Sequence, residues 1–208
     1  VAPEWFPNWS GEVAAIVAGG ESVDKADVEV LRGRCRVAVV NNAFQIAPWA
    51  DVLYAADDRW WEQHQDALKF EGLKVTPGPV VAKRWGLKLV SLVDHLSSEK
   101  DDMTIASPGT ISRGGNSGHQ LTNLVIQFGC RKLLWVGFDC KGDHWHGRHQ
   151  IPLRNPTSQR LAAWATTFDK QAERLRKMRV EIINCSDRSA ITAYPKMPLA
   201  DAVRLWLP

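Results

Sequence analysis

Three of the six histidines in this 208-residue chain lie within one short segment, Asp139-Cys140-Lys141-Gly142-Asp143-His144-Trp145-His146-Gly147-Arg148-His149. Imidazoles this dense in a polar stretch are seldom needed for packing. An imidazole titrates near neutral pH, so it can take a proton from an attacking hydroxyl. Any of His144, His146 and His149 is therefore a candidate general base. Arg148 would neutralise charge on a departing phosphate. The His-x-His-x-x-His spacing also suits a transition metal, with His144 and His146 as ligands.

Five further polar groups have types that suit a nucleotide. In Gly19-Gly20-Glu21-Ser22 a glycine turn lets backbone N–H groups approach an anion at the positive end of a helix. It is not G-x-G-x-x-G, and no G-K-[ST] is present, so neither the dinucleotide fingerprint nor a P-loop is indicated. Asn41 and Asn42 offer carboxamide donors and acceptors to a base or a ribose, or else make a turn. Asp57 and Asp58 could hold a divalent metal on a diphosphate, or simply favour a helix N-terminus. Gly114-Gly115-Asn116-Ser117-Gly118-His119 is a second glycine-flanked helix start, with Asn116, Ser117 and Gly118 facing an anion or a sugar. In Cys185-Ser186-Asp187-Arg188-Ser189, the side chains of Ser186, Asp187 and Ser189 could touch a nucleobase or ribose, a capped turn being the other reading.

These clusters follow the ends of apolar runs or open helices. Val13–Ala18, Arg36–Asn41, Asp51–Ala56, Leu133–Phe138 and Val180–Asn184 read as buried strands, continuous apolar runs of the kind found in parallel sheets. Ser22 would cap a short helix through about Leu31. Leu121, Leu124, Val125 and Phe128 mark a helix over Ser117–Phe128, and Asn155-Pro156 would start a long one carrying Leu161, Trp164, Phe168, Leu175 and Met178. The stretch from Leu73 to Met103 is broken by Pro77, Gly78 and Pro79, with short strands expected at Val80–Lys83 and Lys88–Val93. Alternating strands and helices predict an α/β, Rossmann-like, mostly parallel sheet with helices on both faces, in a single domain over residues 1–208. Ligands of such sheets bind at the carboxyl ends of the strands, and every one of the clusters follows a strand end or opens a helix.

Composition narrows the classes. Hydrophobic residues at 45% and charged residues at 24% fit a globular chain with a core, not a disordered or fibrous one. The formal charge of +3 is spread along the sequence, without the basic stripe that would indicate nucleic acid. No run of ~18 apolar residues is present to span a membrane, and the opening residues lack the order of a signal peptide, so a cytoplasmic protein is expected. Cys35, Cys130, Cys140 and Cys185 stand singly and are expected to be reduced and structural. Of the ten tryptophans, most should be core and some should line a ligand surface.

In order, these pieces resemble the bacterial sialyltransferases of glycosyltransferase family 42. The resemblance rests on Gly19–Ser22, Asn42, Ser117-Gly118, Gly137-Phe138-Asp139, His144-Trp145-His146-Gly147-Arg148-His149, the helix around Trp164–Met178 and Cys185–Ser189. The opening turn and the Gly-x-Asp strand end are also similar to the 6-hydroxymethylpterin diphosphokinase-like family. The Asn-Ser-Gly plus His-Trp-His-Gly combination resembles uncharacterised bacteriophage and prophage proteins, which would place the chain in a bacterial host cell. The first resemblance implies a nucleotide-sugar donor and a His general base after the loop glycine. His149 takes that place with Arg148 inserted before it, and His146 is the alternative. The family's tyrosines have no match between Gly137 and Gly142, which leaves Arg148, His144 or Lys141 to steady the departing phosphate.

The expected function is a nucleotide-dependent group transferase, foremost a glycosyltransferase. It would require no cofactor in that reading, although Mg or Mn could take part. The alternatives are an ATP-dependent pyrophosphokinase-like enzyme, with Asp57, Asp58 and Asp139 holding magnesium, and a non-catalytic nucleotide-binding phage protein. Sequence leaves the donor base, the sugar, the acceptor and any homo-oligomer open.

Overall fold

Apolar runs become strands covered on both faces. The computed structural model describes residues 1–208, and its elements in chain order begin with β1 (Val13–Val17), α1 (Lys25–Glu29), β2 (Arg36–Val40), β3 (Val52–Tyr54), α2 (Asp58–Gln63), β4 (Leu73–Thr76), α3 (Pro79–Trp85) and β5 (Lys88–Leu89). There follow β6 (Ser91–Leu92), β7 (Thr110–Ile111), α4 (Ser117–Gln127), β8 (Lys132–Val136), α5 (Ser158–Lys177), β9 (Glu181–Asn184) and α6 (Leu199–Trp206). Seven strands form one sheet in the order β5-β4-β3-β2-β1-β8-β9, every pair parallel, and β6 and β7 pair separately.

Successive strand residues point to opposite faces, and two core layers result. Ala14 and Ile16 of β1, with Leu133 and Trp135 of β8, pack under α4 and α5, where Leu121, Leu124, Phe168 and Leu175 meet them. Ala15 and Val17, with Leu134 and Val136, face the other layer, where Val28, Trp60, Trp61, Val81 and Val203 come from α1, α2, α3 and α6. The chain lays β2 to β5 on one side of β1 and β8 and β9 on the other. Strand order therefore reverses between β1 and β8, which opens a crevice at their carboxyl ends. No helix is long and apolar enough to cross a membrane.

Several local expectations are corrected. Asp24, not Ser22, caps α1, accepting from the N–H groups of Ala26 and Asp27, because the Ser22 hydroxyl and N–H are both engaged by Asp139. Val80–Lys83 is helical within α3. Pro79 suits the first turn, Gly86 closes the helix at φ +67°, and Val81 and Ala82 are buried while Val80 is exposed. The run Lys88–Val93 breaks at Val90, so β5 joins the main sheet and β6 leaves it. Thr157, not Asn155, caps α5, since the Asn155 amide is committed to the backbone of His149. The expected elements end at Asn184, whereas α6 adds an amphipathic helix with Leu199, Ala202 and Val203 buried at helical spacing.

Candidate active site

The crevice at the switch point is a cleft of about 610 Å³. Gly19 and Gly20 after β1, Asn41 and Asn42 after β2, Asp57 after β3, and Gly137 to Asp139 after β8 form its floor. The starts of α4 and α5 and the histidine segment form its walls. This is where residues far apart in sequence meet.

The floor is braced by one buried carboxylate. Asp139 accepts from the Ser22 N–H at 2.9 Å and from the Ser22 hydroxyl at 2.5 Å, while the Gly20 N–H donates to the Gly137 carbonyl at 3.0 Å. Gly20 sits so close that a Cβ there would lie 2.5 Å from Asp139 Cγ and 2.6 Å from the Gly137 oxygen. These contacts make a rigid joint between the β1 turn and the end of β8. Glu21 accepts from the Asp143 N–H at 3.0 Å and so ties the turn to the histidine segment.

That segment is stitched onto the same turn. The Trp145 N–H and His144 Nδ1 both donate to the Gly19 carbonyl, at 3.1 and 3.2 Å. The rings of His144 and His146 stack with centroids 5.1 Å apart, and His149 lies 4.9 and 4.8 Å from them. The Asn155 amide brackets His149, accepting from its N–H and donating to its carbonyl, each at 2.8 Å. Partial burial, reinforced by the neighbouring His144, pushes His146 and His149 down to about 4. Both rings are therefore neutral at pH 7 and free to accept a proton. No three His, Cys, Asp or Glu side chains converge in a geometry that would hold a metal ion.

The α4 start supplies donors. Asn116 caps the helix through the His119 N–H at 2.9 Å, and the backbone N–H groups of Ser117 and Gly118, the first two of α4, have no partner. Both residues line the cleft. The positive end of an 11-residue helix thus faces the same space as the imidazoles.

Not every residue singled out by sequence reaches the cleft. Arg148 is exposed, with its Nε 3.9 Å from Asp143, and lies outside the lining. The cations on the wall are Lys141, Arg154 and Arg160. The latter two carry no motif and escaped the sequence reading. Ser186 and Ser189 are buried and clamp the backbone of Phe138, the Phe138 N–H donating to Ser186 Oγ at 2.8 Å and Ser189 Oγ donating to the Phe138 carbonyl at 2.6 Å. Asp187 is exposed and accepts from the Arg188 N–H. Asp57 caps α2 through the Arg59 N–H. Asp58 lies against Gly78, and burial with the adjacent Asp57 raises its carboxyl above the ordinary range.

A partner network missed in the sequence surrounds Asn42. Its Oδ1 accepts from Trp60 Nε1 at 2.7 Å, and its Nδ2 lies 3.2 Å from His64 Nε2. Only the fold brings these three together. Trp164, half-buried, also lines the cleft, as expected for a minority of the tryptophans.

No family model and no curated protein matches the sequence. Among solved structures, the chain is similar to a MAf glycosyltransferase from Magnetospirillum magneticum AMB-1, with a TM-score of 0.65 and 14% identity over 93% of this chain. The match covers 34% of that protein, so this chain spans about a third of its length. The likeness is one of fold: the parallel sheet and its layers recur in a protein whose name is that of a glycosyltransferase.

Proposed function

We propose that the chain is a nucleotide-dependent group transferase that moves a sugar from a nucleotide sugar to an acceptor hydroxyl. One observation carries this reading. Three grouped imidazoles, two of them held neutral, face the same cleft as the unpartnered N–H groups at the start of α4. Glycosyl transfer breaks the bond from the anomeric carbon to a phosphate oxygen and forms one to the acceptor oxygen. It therefore needs stabilisation of the departing anion and a place for the hydroxyl proton. The Ser117 and Gly118 N–H groups, with Arg154 and Arg160, suit the anion. His149, its backbone bracketed by Asn155, suits the proton, and His146 is the second choice. The glycosyltransferase fold of the similar structure supports the same class. In this reading no step requires a metal, and Asp57, Asp139 and Asp143 are the carboxylates that line the cleft if Mg or Mn accompanies the donor.

The test is a melting-temperature screen of CMP-, UDP-, GDP- and ADP-sugars and the parent nucleotides, with and without Mg or Mn, followed by assay of nucleotide release. At a hundredfold excess over Kd, the true donor adds about 2.7 kcal/mol. For a chain of this length that is roughly 5–10 °C. A protein stabilised by none of them is not a nucleotide-dependent transferase. Stabilisation without turnover on any acceptor would make it a nucleotide-binding protein.

A further inference from the structure

Asn42 lines the cleft from the 3-10 turn that follows β2, and its carboxamide has two neighbours whose chemistry leaves no choice of orientation. An indole N–H can only donate. Trp60 Nε1, 2.7 Å away, therefore requires the Asn42 oxygen, not the nitrogen, to face it. With the oxygen there, Asn42 Nδ2 faces His64 Nε2 at 3.2 Å. An amide nitrogen can only donate, so Nε2 must be the unprotonated ring nitrogen. The ring proton then sits on Nδ1, which lies 3.0 Å from the Trp60 carbonyl, a group that can only accept. The chain of requirements begins at one donor and ends at one acceptor, both on Trp60, and it is consistent at each link.

Packing fixes the frame. His64 stacks on Trp60 with centroids 4.6 Å apart and planes 12° from parallel. Trp60 is buried and held edge-on by Phe44 and Trp61.

We propose that Trp60 and His64 are positioning residues of the cleft, which lock the Asn42 carboxamide in one orientation so that it shows a ligand one N–H donor and one carbonyl lone pair in fixed order. An amide N–H₂ has two donors and the oxygen two lone pairs. One of each is used inside the network, and one of each is left. A ligand group with an acceptor beside a donor, such as the hydrogen-bonding edge of a nucleobase, satisfies both. Identifying the ligand as a nucleotide rests on the reading of the site given above, whereas the lock itself is a property of the free protein.

Long-range ¹H–¹⁵N spectra of the imidazoles of ¹⁵N-labelled free protein test the lock. His64 is expected as the Nδ1–H form with an unprotonated Nε2, and an Nε2–H ring would overturn the proposal. Asn42→Asp supplies a second arm. A carboxylate has no N–H to offer, so His64 Nε2 should gain a proton and become a donor. A ring that stays Nδ1–H with a bare Nε2 in that variant would also overturn it. His64→Phe keeps the ring stack and removes the acceptor. Its affinity for the tightest binder among CMP, UDP, ADP and GDP should fall by about 10-fold, with the folded far-UV spectrum retained. Unchanged affinity in that folded variant would overturn the role toward the ligand. If none of the four binds the wild-type protein, the nucleotide reading fails, and the ring spectra still decide the lock.

Discussion

His146 and His149 are neutral at pH 7 for a physical reason that sequence spacing alone does not contain. Burial penalises the imidazolium, each ring has another imidazole about 5 Å away, and together these push both to about 4. A base must be unprotonated to work, so activity should be flat from pH 8 to about 5 and fall below that. The acid limb of kcat/KM should lie near 4, not near the ordinary imidazole value of about 6.5. Because the rings interact, that limb belongs to the group and not to one residue. Replacing the working base, His149 first and His146 second, should lower kcat by about 10²–10⁴-fold in a folded protein. Full turnover in both His149→Ala and His146→Ala would remove these two imidazoles from the chemistry. The cluster was legible because its members are neighbours in sequence. Asn42, Trp60 and His64 were not read as a unit, since donor and acceptor requirements across 18 and 22 residues have no local signature. Arg154 and Arg160 carry no motif, and only the approach of the α5 start to the cleft distinguishes them from other exposed cations.

The strands show where sequence patterns suffice and where they stop. Five strands were readable because a parallel strand covered on both faces must be apolar at consecutive positions. The same logic misread Val80–Lys83, where three apolar residues in a row carry no period and the flanking Pro79 and Gly86 held the better signal. The β1 turn is legible in sequence as a glycine turn between strand and helix, yet its tightest constraint comes from Asp139, 119 positions away. A methyl group on Gly20 would meet Asp139 at 2.5 Å and the Gly137 carbonyl at 2.6 Å. A backbone carbonyl at the residue that follows β8 cannot swing aside as a flexible side chain could. Gly20→Ala should therefore cost about 1–3 kcal/mol, read as a lower urea midpoint with an unchanged m-value. A midpoint equal to wild type would mean that the joint between β1 and β8 yields easily. Gly20 is for that reason a poor choice for testing ligand binding alone. His64→Phe changes the cleft without disturbing the sheet.

Across the molecule, the two buried layers and the cleft together set how stability depends on pH. Three imidazoles are depressed on folding. His119 is fully buried, with Nδ1 on Ser112 Oγ and Nε2 without a partner, and burial pushes it down to about 3. His146 and His149 are held at about 4, again chiefly by burial. In the unfolded chain such rings titrate near 6.5. Between pH 6.5 and 4 the unfolded state therefore binds more protons, and stability must fall as pH falls through that window. On the alkaline side the sign reverses. Burial raises Cys35, Cys130, Cys140 and Cys185 to about 12 from an ordinary value near 9. Above pH 9 the unfolded thiols ionise while the folded ones keep their protons, so stability falls again as pH rises. Urea unfolding under reducing conditions should thus show a plateau between about pH 6.5 and 8.5 with a loss on each flank. A constant unfolding free energy from pH 7 to 4 would contradict the acid flank, and a rise from 9 to 11 would contradict the alkaline one. The flanks also separate core from cleft. Replacing His146 and His149 with alanine should weaken the acid loss without abolishing it, because His119, on α4, is buried against Phe168 with ring centroids 5.4 Å apart and remains the ring with most to lose by taking up a proton.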